Sequence, residues 1–311
     1  MPLRVAVGFV VLTVLFYKIP FADVWQTITA AHWPFVLGAA GLTLLMQWST
    51  ADRLRRLCDA HGHGWSTLEI LQINLSTRFY GLFLPGGNFT GIAIRFYKLS
   101  GDRTQYLGTA VALFYDRIAA TVSLCALGVV FWLMERPGGS WQTLTAILSA
   151  MLVMVIGLLI LFSRSPGPIV SRLRRWVGRL GGVKLHTLRQ AVRESRELPG
   201  RQMFMIYALS TLAHLIGVLG WYLLIRSLGL ELSFVTVGWV RSAMILATMI
   251  PVSVAGLGLR EGAALLLLTA YPGVQRPDAL AFSLLVFAVT TLLVGLAGGL
   301  IEARRLLLNN P

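Results

Sequence analysis

Acidic residues are scarce in this chain, with 13 Asp and Glu in 311 residues against 27 Lys and Arg. Charge of either sign is thin as well: 13% of residues are charged, about half the share of a soluble domain. Cysteine is nearly absent. Cys58 and Cys125 exclude a disulfide framework and offer no metal-ligand spacing, and we place Cys58 in a polar loop. There is no nucleotide-binding motif, no Ser-His-Asp ordering and no pair of carboxylates spaced for hydrolysis. His61-Gly-His63 lacks a third ligand nearby, so no metal or other cofactor is expected. Long polar linkers and low-complexity segments are missing too. What fills the chain is apolar: 56% of residues are hydrophobic, more than a soluble fold of this size could hide.

The expected fold is therefore all-α, a polytopic membrane helical bundle forming a single integral membrane domain over 1–311. Runs of spanning length occur at 4–21, 33–51, 118–134, 141–163, 204–225 and 278–300, giving six full spans. The first run follows Arg4 like a signal-peptide core, but it lacks a clear cleavage site and is read as a retained span. The segment 104–117 reads as a helix leading into the third span.

The net charge of +14 is concentrated. Residues 164–201 hold ten Lys and Arg against Glu194 and Glu197. Between two spans, such a loop faces the cytoplasm and anionic inner-leaflet headgroups, and without a nucleic-acid module it does not suggest nucleic acid. Ile169, Leu173, Trp176, Val177 and Leu180 recur there at helical spacing, as in an amphipathic surface helix. The cluster Arg53, Arg55 and Arg56, read as following the second span, and Arg304 and Arg305 after the last fit the same side. Both termini are then cytoplasmic in an inner, plasma-membrane setting.

Two further apolar regions, 66–103 and 233–271, are interrupted where a helix ought to continue. The first break carries Pro85, Gly86 and Gly87 and reaches Arg95; the second carries Pro251, Gly256 and Gly258 and reaches Arg260 and Glu261. Proline removes a backbone donor and glycine loosens the chain. At membrane depth, such breaks survive only where protein or a wet cavity satisfies the freed groups. Each region is expected to return to the side it entered, as a broken re-entrant hairpin, and the two hairpins would form an inverted repeat. Two full spans per region satisfy the charge parity equally well.

Charges at depth are functional candidates. Arg95 and Arg260 are the expected headgroup ligands, because a guanidinium stays charged and its fork matches phosphate in two places. Glu261 is expected to hold an arginine in place. Arg78, Arg241 and Asn74 stand in apolar stretches before the breaks and are expected to line the same cavity. Asp116 and Arg117, adjacent on a helix, point about 100° apart. Each is expected to meet a charge from elsewhere, such as Arg95, Arg78 or Arg241, in a structural and gating role. His214 reads as a helix-to-helix hydrogen-bond contact.

Phe83-Leu-Pro-Gly-Gly87 through Arg95, Phe114-Tyr-Asp-Arg-Ile118 and Pro251 to Gly262 together resemble the flippase-like transmembrane domain of lysylphosphatidylglycerol synthases. The likeness runs from about 30 to 302 and is most specific at the second break. The first break departs from the family pattern: members often carry Gly-Asp shortly before the arginine, whereas this chain has Gly91-Ile92. The resemblance implies a lipid flippase for an anionic, aminoacylated or glycosylated headgroup. No soluble synthase domain follows the last span in these 311 residues, so a stand-alone member without enzymatic activity is expected. Its partners would be membrane lipids and a separate lipid-modifying enzyme. Two alternatives remain: a lipid-presenting subunit of a transferase, and a small-solute transporter.

Overall fold

The structure is a computed structural model, and it describes residues 21–84, 87–101, 106–135, 199–249 and 258–308. The expected spans 4–21 and 141–163 and the basic loop up to residue 198 lie outside the described residues, as do Pro85, Gly86, Pro251 and Gly256.

Among the described residues the regular structure is helical throughout. In chain order the helices are α1 Phe21–Thr29, α2 Trp33–Asp59, α3 Thr67–Phe83, α4 Asn88–Ser100, α5 Tyr106–Glu135, α6 Gly200–Ser227, α7 Phe234–Met249, α8 Leu259–Leu268, α9 Arg276–Phe287 and α10 Leu293–Leu308. A π-helical turn, Ala288–Leu292, joins α9 and α10 into one helix of 33 residues. That helix, α5 and α6 are each long and apolar enough to cross a membrane, and α1 with α2 makes a fourth candidate bent by 84°. All four expected spans that fall on described residues coincide with these helices. The expected lead-in at 104–117 is the first half of α5.

One boundary differs from the sequence reading. Helix α2 continues to Asp59, so Arg53, Arg55, Arg56 and Cys58 are helical, and Arg53 and Cys58 are buried. The charge run looked interfacial, but it divides around the helix. Arg55 and Arg56 pair with Asp52 at 3.0 and 2.9 Å, and Arg55 with Asp59 at 2.7 Å. Arg53 instead points into the bundle.

Hydrogen bonds define two ends of the bundle. At one end, the Trp65 indole donates to the Leu99 carbonyl at 3.2 Å, Thr67 donates to Asp52 at 3.3 Å, and Arg305 donates to Gln72 at 3.0 Å. At the other, the His32 amide donates to the Ser227 carbonyl at 2.8 Å, and Ser233 and Thr236 donate to Glu135. The α3–α4 unit thus has both feet at the Trp65 end. The α7–α8 unit has its feet at the Ser227 end, where the Trp239 indole donates to the Tyr271 hydroxyl at 3.1 Å.

Local chemistry explains the breaks. Ser66 caps α3: its hydroxyl accepts from the Glu69 amide at 3.2 Å, and the Glu69 carboxylate accepts from the Ser66 amide at 2.8 Å. The helix stops at Leu84, extended at φ −91°, ψ 150°, as the residue before a proline prefers. Helix α4 starts after Gly87 at φ 56°, and α8 after Gly258 at φ 85°, a region that side chains disfavour. The second arms are short. At about 1.5 Å per residue, the 13 residues of α4 and the 10 of α8 extend about 20 and 15 Å, less than a hydrocarbon core of about 30 Å.

Glycines bring the first hairpin to its neighbours. A Cβ at Gly298 of α10 would lie 2.0 Å from the Leu75 carbonyl oxygen of α3. One at Gly91 of α4 would lie 2.9 Å from the Thr77 carbonyl oxygen. At both places backbone rests on backbone.

Candidate functional site: an arginine cluster beside a single aspartate

Asp116 lies in the first half of α5, buried, and is met by two arginines. Arg53 of α2 donates through Nε at 2.9 Å and approaches through Nη2 at 2.7 Å, both to Oδ1. Arg95 of α4 lies 3.6 Å from Oδ2. Arg53 also donates to the Ser210 hydroxyl of α6 at 2.9 Å, which in turn donates to the Ala119 carbonyl at 3.0 Å. Asp116 therefore meets Arg95, one of its expected partners, and also Arg53, which the sequence reading had left outside the membrane. The pair is deeply enclosed, with side-chain exposures of 5% and 9%.

Two more guanidiniums, Arg78 of α3 and Arg117 of α5, lie within electrostatic reach of Arg95 and of each other. Neither has an ion pair or hydrogen bond among the described residues, and both are exposed by area. Arg78 is nonetheless densely surrounded by protein atoms. Both conditions hold together for a side chain lining a recess. Arg78 is also eleven residues beyond Thr67, about 16 Å along α3 from its foot. The balance is four guanidiniums against one carboxylate. Arg95 Nε is buried without a partner, as is Asn74 Oδ1, one turn before Arg78 on α3. A buried polar atom left unpaired costs free energy that a ligand can recover.

The second break is organised differently. Glu261 Oε2 accepts from the Gly258 amide at 2.6 Å, closing the start of α8. Its Oε1 accepts from Arg260 at 2.6 and 3.1 Å and from Ser283 of α9 at 3.3 Å. The Arg260 guanidinium stands 4.7 Å from the centre of the Phe287 ring, against the π-helical turn. Both residues are buried. Arg260 and Glu261 thus form a closed unit, the local pairing expected of Glu261, whereas the first break leaves donors open.

Arg241 of α7 is buried and has no carboxylate partner among the described residues. It lies 3.5 Å from His214 Nδ1, 3.8 Å from the Met46 sulfur and 5.7 Å from the centre of the Trp221 ring, and its Nε is unpaired. A Cβ at Gly217 would stand 2.3 Å from its Nη2, so this glycine makes the room it occupies. His214 Nε2 bonds the Ala120 carbonyl at 2.8 Å, the helix contact expected. Ser210, His214, Gly217 and Trp221 follow one face of α6, linking Arg241 to the Arg53–Asp116 pair.

Arg78, Arg95, Asp116 and Arg117 therefore come together, with Asn74 one turn from Arg78 on α3. Arg241 stands along α6, and Arg260 and Glu261 form a separate unit. Three contributors were missed: Arg53, Ser210 and Glu302. Glu302 of α10 accepts from Lys98 and from the Tyr80 hydroxyl at 3.0 Å, fastening the first hairpin. A signal for Arg53 existed: buried Ala39, Thr43 and Gln47 mark an inward small and polar face that continues towards it.

No curated protein sequence matches the chain. The family model of the lysylphosphatidylglycerol synthase TM region does match, over residues 1–298, which carry both breaks, the arginine cluster and the expected spans up to near the end of the last one. By that match this multi-pass membrane protein belongs to the lysylphosphatidylglycerol synthase transmembrane-region family.

Proposed function

We propose that the protein is a lipid translocase, moving a polar-headgroup lipid between the leaflets of a bacterial-type inner membrane. The observation that carries this reading is the arginine cluster: Arg53 and Arg95 share one aspartate, and Arg78 and Arg117 beside them are accessible and have no partner among the described residues. A charge in hydrocarbon is expensive, so such a surplus is kept where a polar group is received. A lipid headgroup meets this requirement while its tails stay in the bilayer.

In this reading, the α3–α4 and α7–α8 units are re-entrant hairpins of an inverted repeat, entering from opposite leaflets. The Trp65 end is cytoplasmic, with both termini, and the basic loop 164–201 rests on anionic inner-leaflet lipid. The reading needs no covalent chemistry: Asp116 and Glu261 serve it by holding Arg53, Arg95 and Arg260 in place. A lipid-presenting subunit serving a separate transferase is the second reading. It would use the same site without leaflet exchange.

The test is a leaflet assay in liposomes carrying reducible fluorescent lipids. Protein-dependent loss of the inner-leaflet protected fraction, slowed by Arg78→Gln, is the expected result. Lipid that binds but never exchanges would move the assignment to the presenting subunit.

A further inference from the structure

We infer that the arginine site takes a headgroup whose charge is a phosphate accompanied by a neutral hydroxylated group, and turns away an aminoacylated one. This narrows the cargo of the translocase reading and rests on it for the lipid's movement, but not for its binding.

The donors point to phosphate. Arg78 and Arg117 have no partner among the described residues, and Arg95 keeps its Nε unpaired while one Nη faces Asp116. These open N–H groups converge from α3, α4 and α5, and guanidiniums match phosphate oxygens in pairs. The unpartnered Asn74 Oδ1 is an acceptor and needs a donor that phosphate cannot supply. A hydroxyl beside the phosphate would supply it.

The described acceptors offer no place to an ammonium. Asp116, Glu261 and Glu302 within the helices, and Glu135 at the Ser227 end, each have both oxygens in use. Asp116 meets Arg53 and Arg95. Glu261 meets the Gly258 amide, Arg260 and Ser283. Glu302 meets Lys98, Arg305 and Tyr80, and Glu135 meets Thr236 and Ser233. Asp52, Asp59, Glu69 and Asp278 are engaged at helix ends. Asp23 and Glu231 stand towards the Ser227 end, away from the cluster. An aminoacylated headgroup would bring its amines to a site with three surplus positive charges and no open carboxylate among these.

The full chain in detergent, at fixed ionic strength, would be titrated calorimetrically with dihexanoyl phosphatidylglycerol, dihexanoyl phosphatidylcholine, dihexanoyl lysylphosphatidylglycerol and inorganic phosphate. Phosphatidylglycerol is expected to bind about tenfold more tightly than the other two lipids, as one extra charge-assisted bond provides. Arg78→Gln and Arg117→Gln should each weaken it by about tenfold and narrow its lead over the lysyl lipid. Neither should lower the melting temperature, since neither side chain bonds the described protein.

Equal or tighter binding of the lysyl lipid would overturn the inference, as would an Arg78→Gln protein that binds phosphatidylglycerol unchanged. Inorganic phosphate binding as tightly as phosphatidylglycerol would replace a lipid site with a free-phosphate site. The liposome assay separates the two readings. Phosphatidylglycerol that binds selectively but does not exchange refutes translocation alone; a lysyl lipid exchanged faster than phosphatidylglycerol refutes the headgroup class alone.

Discussion

Replacing Asp116 by asparagine removes the carboxylate that Arg53 and Arg95 share, while keeping the size of the side chain. The enclosed Arg53 then loses its charge partner at 2.7 Å and keeps only a neutral amide and Ser210. Breaking a buried pair from one side costs about 3–5 kcal/mol, because the remaining charge stays desolvated. Arg95 adds less, since 22% of its side chain is accessible and water screens it. We therefore expect Asp116→Asn to lose about 3–5 kcal/mol in equilibrium unfolding in mixed micelles, followed by tryptophan fluorescence. A bound phosphate lipid should restore part of this loss, because a ligand stabilises the state it binds. The double variant Arg53→Met with Asp116→Leu leaves the surplus of three positive charges unchanged, so it should recover most of the loss. Unfolding of Asp116→Asn within about 0.5 kcal/mol of wild type would refute the reasoning, since the pair would then not be holding a desolvated charge. A double variant as unstable as the single one would refute it equally.

Other perturbations test separate parts of the fold. Gly298→Ala should cost about 1–3 kcal/mol or more in the same unfolding experiment, because its Cβ would meet the Leu75 carbonyl oxygen at 2.0 Å and neither backbone can yield cheaply. Arg241→Met should unfold at or above wild type, because it removes a buried charge without a carboxylate partner, and should slow leaflet exchange; unchanged exchange would make Arg241 a bystander. Gly217→Ala should reproduce that slowing by displacing the guanidinium. Glu261→Gln should destabilise by about 3–5 kcal/mol, measured by unfolding, because it leaves Arg260 buried without its counter-charge.

The breaks were legible because their signals are local. A proline with glycines inside an apolar run dictates an interruption wherever the rest of the chain lies, and Leu84, Gly87 and Gly258 adopt the backbone that such a signal requires. The need of Asp116 for a remote partner was legible too, because adjacent residues on a helix diverge. The identity of that partner was not. Arg53 sits among Arg55 and Arg56, and three clustered arginines read as an interfacial anchor until the helix resolves them around its axis. The difference between the two breaks was equally hidden. Both reach an arginine in nine or ten residues, yet Glu261 saturates Arg260, and the first break has no acid of its own. From Pro85 to Arg95 the chain has no carboxylate, and Arg95 reaches instead to Asp116 of α5.

The contact between Gly91 and the Thr77 carbonyl has a consequence for how ligands of different size are sorted. Arg78 and Arg95 flank that contact on the two arms of one hairpin, whose feet are joined through Trp65 and Leu99. The arms form a caliper of fixed gap: main chain, not side-chain adjustment, sets the distance between the roots of the two guanidiniums. A caliper measures without closing. Discrimination among headgroups should then arise as each one enters, and appear in the rate of its departure rather than in a change of the protein's shape.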